Sequence, residues 1–139
     1  MTRPNEQYAY FTVTGDFEPD SVSERLQLEP SDSWKKGGRN EVTHYERKFS
    51  RWSLRSRLQD TEKLEDHIRD VLDQLASRAE QVRELVDELG RGEIECVGHF
   101  HASYPGFTLE RHLIAAMARM NLELDCDFYY LYSDRRDDS

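Results

Sequence analysis

The stretch Tyr8-Ala9-Tyr10-Phe11-Thr12-Val13-Thr14 combines aromatic with β-branched residues and is followed by Gly15. This composition, bounded by glycine, predicts a β-strand. Because successive side chains of a strand point to opposite faces, the tyrosines and threonines would share one face. The alanine, phenylalanine and valine would share the other. The segment therefore predicts a strand with one apolar face and one polar, aromatic face.

The segment that follows this strand predicts a short helix and then irregular chain. Residues Ser21-Val22-Ser23-Glu24 match a capping box, in which Ser and Glu side chains bond the first backbone N–H groups of a helix. Pro30 would end that helix. Residues 31–47 are polar and contain Gly37-Gly38, which predicts a long turn or irregular hairpin. A second strand is expected at Phe49–Leu54, with Trp52 in the core.

The centre of the chain shows helical periodicity. Between Asp60 and Leu89 the apolar residues recur at steps of three and four. Ser77-Arg78-Ala79-Glu80 forms a second capping-box pattern within this run. We therefore expect two helices with a break near Ser77, closed by Gly90.

The last third repeats the order of the first. Ile94–His101 predicts a strand, Thr108 is expected to cap a helix, and Asn121 suits a left-handed helix end. Leu122–Tyr132 predicts the last strand. Since strand, capped helix and strand occur near both ends, the sequence favours an α+β fold. We expect ferredoxin-like βαβ units with a mainly antiparallel sheet and helices on one face.

Length and composition indicate one domain over residues 1–133, followed by a charged, disordered tail at 134–139. Hydrophobic residues make up 37% of the chain, charged residues make up 34%, and the net charge is −9. No basic face is evident, so nucleic-acid binding is not expected, whereas a basic protein partner is.

Cysteine usage and the absence of an apolar run predict a cytoplasmic location. Cys96 and Cys126 are isolated, which suits a reducing compartment, and both are expected to be buried as small apolar side chains. No segment approaches the length of a membrane span, and residues 1–10 contain no apolar leader. No cofactor is expected.

If helices cover one side of the sheet, the other side is the candidate site. Strand alternation places polar and aromatic residues of three strands there. These candidate ligand-binding residues are Tyr8, Tyr10, His99, His101, Asp125, Asp127 and Tyr129. The same surface could instead form the interface of a homodimer.

Two further interpretations concern charged groups. His99 and His101 could approach one metal ion with Asp127, or Asp127 and His101 could act in acid–base chemistry. A solvated polar face explains the same residues, and no residue is assigned as a metal ligand. Lys35, Lys36 and Arg39 lie beside two glycines and are candidate anion contacts, although an exposed turn with solubilising charges is the preferred interpretation.

Several short sequence motifs, taken in their order along the chain, resemble those of one bacterial family. They are the opening Tyr-x-Tyr-Phe-x-Val, Asp16 with Pro19-Asp20-Ser21-Val22, Leu26-x-Leu28-x-Pro30, Lys36-Gly37, Trp52-Ser53-Leu54, and Leu122-x-Leu124-x-Cys126-Asp127-x-Tyr129. The chain is similar in these motifs to the domain of unknown function 4279 family. The resemblance implies a small bacterial cytosolic protein of α+β fold, and it implies no reaction, ligand or catalytic residue.

The expected function is non-enzymatic. No nucleophile and base can be paired from the sequence, whereas the acidic helices suggest protein interaction. The leading hypothesis is a binding domain, in one version an immunity-type protein that neutralises a toxin. The alternative is a small metal-dependent or acid–base enzyme that uses His99, His101 and Asp127.

Overall fold

The computed structural model describes residues 3–131, so Tyr132 and the predicted tail at 134–139 lie outside the described residues. Within the described residues, the strands are β1 (Glu6–Gly15), β2 (Asp32–Trp34), β3 (Ser50–Arg55), β4 (Gly92–Phe100) and β5 (Glu123–Tyr130). The helices are α1 (Pro19–Leu26), α2 (Leu64–Leu75), α3 (Ala79–Leu89) and α4 (Arg111–Arg119). No helix of residues 3–131 is long and apolar enough to cross a membrane.

The strands form one sheet in the order β2-β3-β1-β4-β5. β1 is antiparallel to both of its neighbours, and β2 is antiparallel to β3. Only the pair of β4 and β5 is parallel among the described strands. The prediction of an α+β fold with a mainly antiparallel sheet is therefore confirmed.

One hydrophobic core holds the helices against the sheet. Buried side chains from all four helices join those of β1, β3 and β4 in a single cluster. Phe11 and Trp52 are fully buried in this cluster. Their rings meet edge to face, with the ring centroids 6.0 Å apart. Each such side chain contributes roughly 1.5–3 kcal/mol by its burial. The Trp52 indole N–H donates to the Ser23 hydroxyl at 2.9 Å, so its polar atom is satisfied inside the core.

The helix beginnings differ from those predicted. α1 begins at Pro19, where the fixed φ of proline suits a first helical position. Ser21 lies inside the first turn, and its hydroxyl donates to the Glu18 carbonyl at 2.7 Å instead of capping an N–H group. α4 begins at Arg111 after an extended Glu110, so the predicted cap at Thr108 is also wrong.

The predicted break near Ser77 is confirmed, although its cause is different. A single turn of 3-10 helix, Ala76–Arg78, separates α2 from α3, and no side chain caps α3. The Arg78 guanidinium donates to the carbonyls of Leu26 at 2.5 Å and Gln27 at 3.1 Å. The break therefore brings a cation to the carbonyl end of α1, where the helix dipole favours positive charge.

Two other expectations are corrected. The segment predicted as irregular contains β2, a short edge strand paired with Arg51–Ser53. Cys96 is buried as expected, whereas Cys126 is exposed because β5 is an edge strand.

The predicted left-handed conformation of Asn121 after α4 is confirmed, because its φ is 59°.

Candidate functional site

The sheet surface that faces away from the helices, called the open face here, gathers most of the predicted site residues. On β1 it carries Tyr8, Tyr10 and Thr12, which alternate with the core residues Ala9, Phe11 and Val13. The register places Tyr10 beside Arg55 on one side and beside Glu95 on the other. Glu95 in turn pairs with Asp125. Residues from four strands therefore lie side by side.

An aromatic row crosses the open face from β1 to β5. The rings of Tyr8 and Tyr10 stack with centroids 6.2 Å apart, and His99 stacks on Tyr8 at 6.4 Å. His99 and Tyr129 are closer still, at 4.9 Å and nearly parallel. The imidazole of His99 therefore lies between two phenol rings.

Arginines flank this row on the β3 side. The guanidinium carbon of Arg55 lies 4.0 Å from the centroid of the Tyr8 ring, and that of Arg51 lies 5.3 Å from the Tyr10 ring. The guanidinium carbon of Arg47 likewise lies 4.0 Å from the centroid of the Trp34 ring. These are cation–π contacts. These contacts were not predicted from the sequence, although Arg51 and Arg55 flank the core residues Trp52 and Leu54 in the alternation of β3 and could have been assigned to the open face.

Carboxylates concentrate on the β4 and β5 side. Oxygens of Glu93, Glu95 and Asp125 all lie within 4.8 Å of one another. Burial raises the pKa of Glu93, and the neighbouring charge of Glu95 raises it further. Burial also raises the pKa of Tyr10 to about 12, helped by the hydrogen bond that its hydroxyl donates to Glu95 at 2.6 Å. Three close oxygen donors suit a hard cation or an ammonium group.

Other predicted site residues lie apart from this cluster. The His101 ring nitrogen Nε2 is 3.2 Å from Glu6 Oε1, and its backbone N–H donates to Asn5 at 2.8 Å. Asp127 accepts a hydrogen bond from the Tyr129 hydroxyl at 2.8 Å. Among residues 3–131, His99, His101 and Asp127 do not form a group of metal-ligating atoms within reach of one ion.

The side chains predicted to contact an anion, those of Lys35, Lys36 and Arg39, form contacts within the protein. Lys35 Nζ lies 2.6 Å from Glu18, and Lys36 Nζ lies 3.4 Å from Asp16. Arg39 donates to the His44 carbonyl at 2.9 Å. The two lysines are thus neutralised locally, and the anion-contact role stays a prediction.

A buried serine–histidine pair was not predicted from the sequence. The Ser56 hydroxyl lies 2.5 Å from Nδ1 of His67, and both side chains are buried. Burial lowers the pKa of His67. Because a substrate cannot reach His67, which is fully buried, the pair is structural. Ser56 directly follows β3 and His67 lies in α2, so the tertiary fold brings them together.

Comparison with known proteins gives one result. The family described as "Domain of unknown function (DUF4279)" matches residues 5–131, which is nearly the whole chain. No curated protein and no solved structure matches the chain.

Proposed function

We propose that this chain, which belongs to the family described as Domain of unknown function (DUF4279), is a non-enzymatic binding domain for a basic protein. The proposed contact surface is the half of the open face formed by β4 and β5. Carboxylates lie there beside aromatic rings. A lysine or arginine of a partner could therefore pair with a carboxylate and stack on a ring at the same time.

The observation that carries this proposal is a group of three carboxylates that lie close together on the open face and, within residues 3–131, have only long ion-pair contacts. Shorter ion pairs occur elsewhere in the protein, where Asp70 pairs with Arg57 at 2.7 Å and Arg69 pairs with Asp66 and Glu110. On the open face, three carboxylates lie within 4.8 Å of one another. The nearest arginine contacts of that cluster are long, 3.7 Å from Arg51 to Glu95 and 3.6 Å from Arg91 to Glu93. A cationic partner would relieve the repulsion within this cluster.

The more specific version of this proposal is an immunity-type protein of the bacterial cytoplasm that covers the basic active site of a toxin. Its net charge of −9 would speed association with such a target. We also propose a ferredoxin-like arrangement for the first four strands. It is supported by the strand order β2-β3-β1-β4, with α1 between β1 and β2 and with α2 and α3 between β3 and β4.

The enzymatic alternative has less support among the described residues. Acid–base or metal chemistry through His101 and Asp127 needs both side chains to face one point. His101 instead contacts Glu6, and Asp127 contacts Tyr129. We therefore favour binding over catalysis.

A peptide-display selection against the purified protein tests the proposal. We expect the enriched peptides to carry several lysines or arginines. Neutralising the cluster with Glu95→Gln and Asp125→Asn should weaken their binding about tenfold, since two ion pairs together contribute about 1.4 kcal/mol.

The matched control neutralises two exposed carboxylates of α3, with Glu80→Gln and Glu84→Gln, and should leave the affinity within about twofold of wild type. Enrichment of neutral or acidic peptides would contradict the proposal. Equal losses in the two variants would contradict it as well, because they would indicate a general effect of net charge.

A further inference from the structure

We propose that the basic partner binds by adding a β-strand to the outer edge of β5. This inference rests on the proposed function and specifies how the partner is held. An extended peptide that joins a sheet edge gains main-chain hydrogen bonds, and its alternate side chains contact the two sheet faces.

The first observation is the position and length of β5. It is the last strand of the sheet, and within residues 3–131 no strand pairs with its outer edge. It has eight residues, and seven of them are exposed. The opposite edge strand, β2, has only three residues. An edge strand of this length presents a row of backbone donors and acceptors that can pair with another chain.

The second observation is an apolar groove on the helix side of this edge. Exposed Leu124 and Ile114, 39% and 51% accessible, stand at its rim. The groove has a volume of about 350 Å³. It is lined by Leu109, Ile114, Met117, Ala118, Leu122 and Leu124. A strand laid beside β5 would place its apolar side chains over this groove.

The third observation is the charge on the other side of the same edge. Glu123, Asp125 and Asp127 alternate along β5 and are exposed. Residues directly opposite each other on neighbouring strands favour unlike charges. The partner segment is therefore expected to alternate lysine or arginine with apolar residues, so that its cations face these carboxylates while its apolar side chains cover the groove.

The same charges disfavour a second copy of this chain at the edge. Antiparallel pairing of β5 with itself, centred on Asp125, Cys126 or Asp127, sets at least one carboxylate opposite another in each case. Like charges in opposed positions destabilise a strand pair. The edge therefore discriminates against self-association and accepts a basic strand.

Hydrogen exchange with a defined peptide tests this inference. The probe is a synthetic peptide of about six residues, the usual strand length, alternating lysine with valine. On binding, we expect at least tenfold slower exchange for outward-facing amides of β5 and unchanged exchange in β2. A peptide of the same sequence with alternate backbone nitrogens methylated should bind at least about tenfold more weakly, because it cannot donate the strand hydrogen bonds.

Charge variants provide the second readout. The double variant Asp125→Lys and Asp127→Lys should abolish binding of the lysine peptide, whereas Glu41→Lys, in the loop between β2 and β3, should retain it. If the lysine peptide binds but the β5 amides still exchange freely, strand addition is wrong and the proposed function stands. If no basic peptide binds, the proposed function fails as well. A dimer with protected β5 amides in the free protein would show that a second copy occupies the edge, and would overturn the inference.

Discussion

At the scale of single residues, His67 is the clearest case of a polar group placed by the fold. It is fully buried, and its Nδ1 lies 2.5 Å from the Ser56 hydroxyl. Burial lowers its pKa because the cationic form would lose its hydration. An unfolded histidine titrates near a pH of about 6.5. Between that pH and the lower pKa of the folded protein, this histidine is protonated to a greater extent in the unfolded chain than in the folded protein. The free energy of unfolding therefore decreases as the pH falls through this range.

Replacing this group should remove part of the acid sensitivity. Between about pH 7.5 and about pH 5, the free energy of unfolding of the wild type should decrease by more than that of His67→Gln. Urea unfolding at the two pH values measures the difference. The control His112→Gln, at an exposed position of α4, should behave like the wild type. Parallel losses in wild type and His67→Gln would show that His67 does not titrate in this range.

At the scale of elements, sequence patterns predicted the strands better than the helix ends. The alternation in β1 and β4 assigned each side chain to the correct face. Side chains of a strand alternate between its two faces, so the face of every residue is known once the buried face is known. The predicted caps at Ser21, Ser77 and Thr108 failed for another reason. Pro19 begins α1 two residues before Ser21, and the break after α2 carries a contact distant in sequence, from Arg78 to Leu26, which no local motif records.

One such contact joins the segment after β3 to α2. Arg57 bonds Asp70 through its backbone N–H at 2.7 Å and through its guanidinium at 2.7 Å. Burial alone would raise the pKa of Asp70, but the bonds from Arg57 outweigh it and the pKa is lowered. The side chain of Asp70 is only 11% exposed. The ionised carboxylate therefore stabilises this junction above the ordinary carboxyl pKa of about 4, and its contribution is lost as the pH falls through the lowered pKa.

Asp70→Asn should accordingly reduce the free energy of unfolding by about 2 kcal/mol near neutral pH, since hydrogen bonds to a charged group are lost. Chemical denaturation provides the measurement. Asp73→Asn, an exposed carboxylate on the same helix, should change it by less than about 0.5 kcal/mol. If the two variants were equally stable, the Arg57–Asp70 pair would contribute nothing to the junction.

At the scale of the whole molecule, the strand order decides what the open face can do. Sequence alternation identified Tyr8, His99 and Tyr129 as members of one face, and the structure stacks their rings. It could not show that β3 is the neighbour of β1, so the arginines beside the tyrosines were missed. The result is a divided face, with arginines on β3 and carboxylates on β4 and β5. A basic partner should cover the carboxylate half alone.

The most direct test of this account is chemical-shift mapping of the isotope-labelled protein as the lysine–valine peptide is added. We expect the largest shift changes at backbone amides of β4 and β5, including Glu95, Asp125 and Asp127, and little change in β3 or along the outer faces of α2 and α3. Changes centred on the helices, with β4 and β5 unaffected, would contradict the claim that the open face of the sheet is the binding surface.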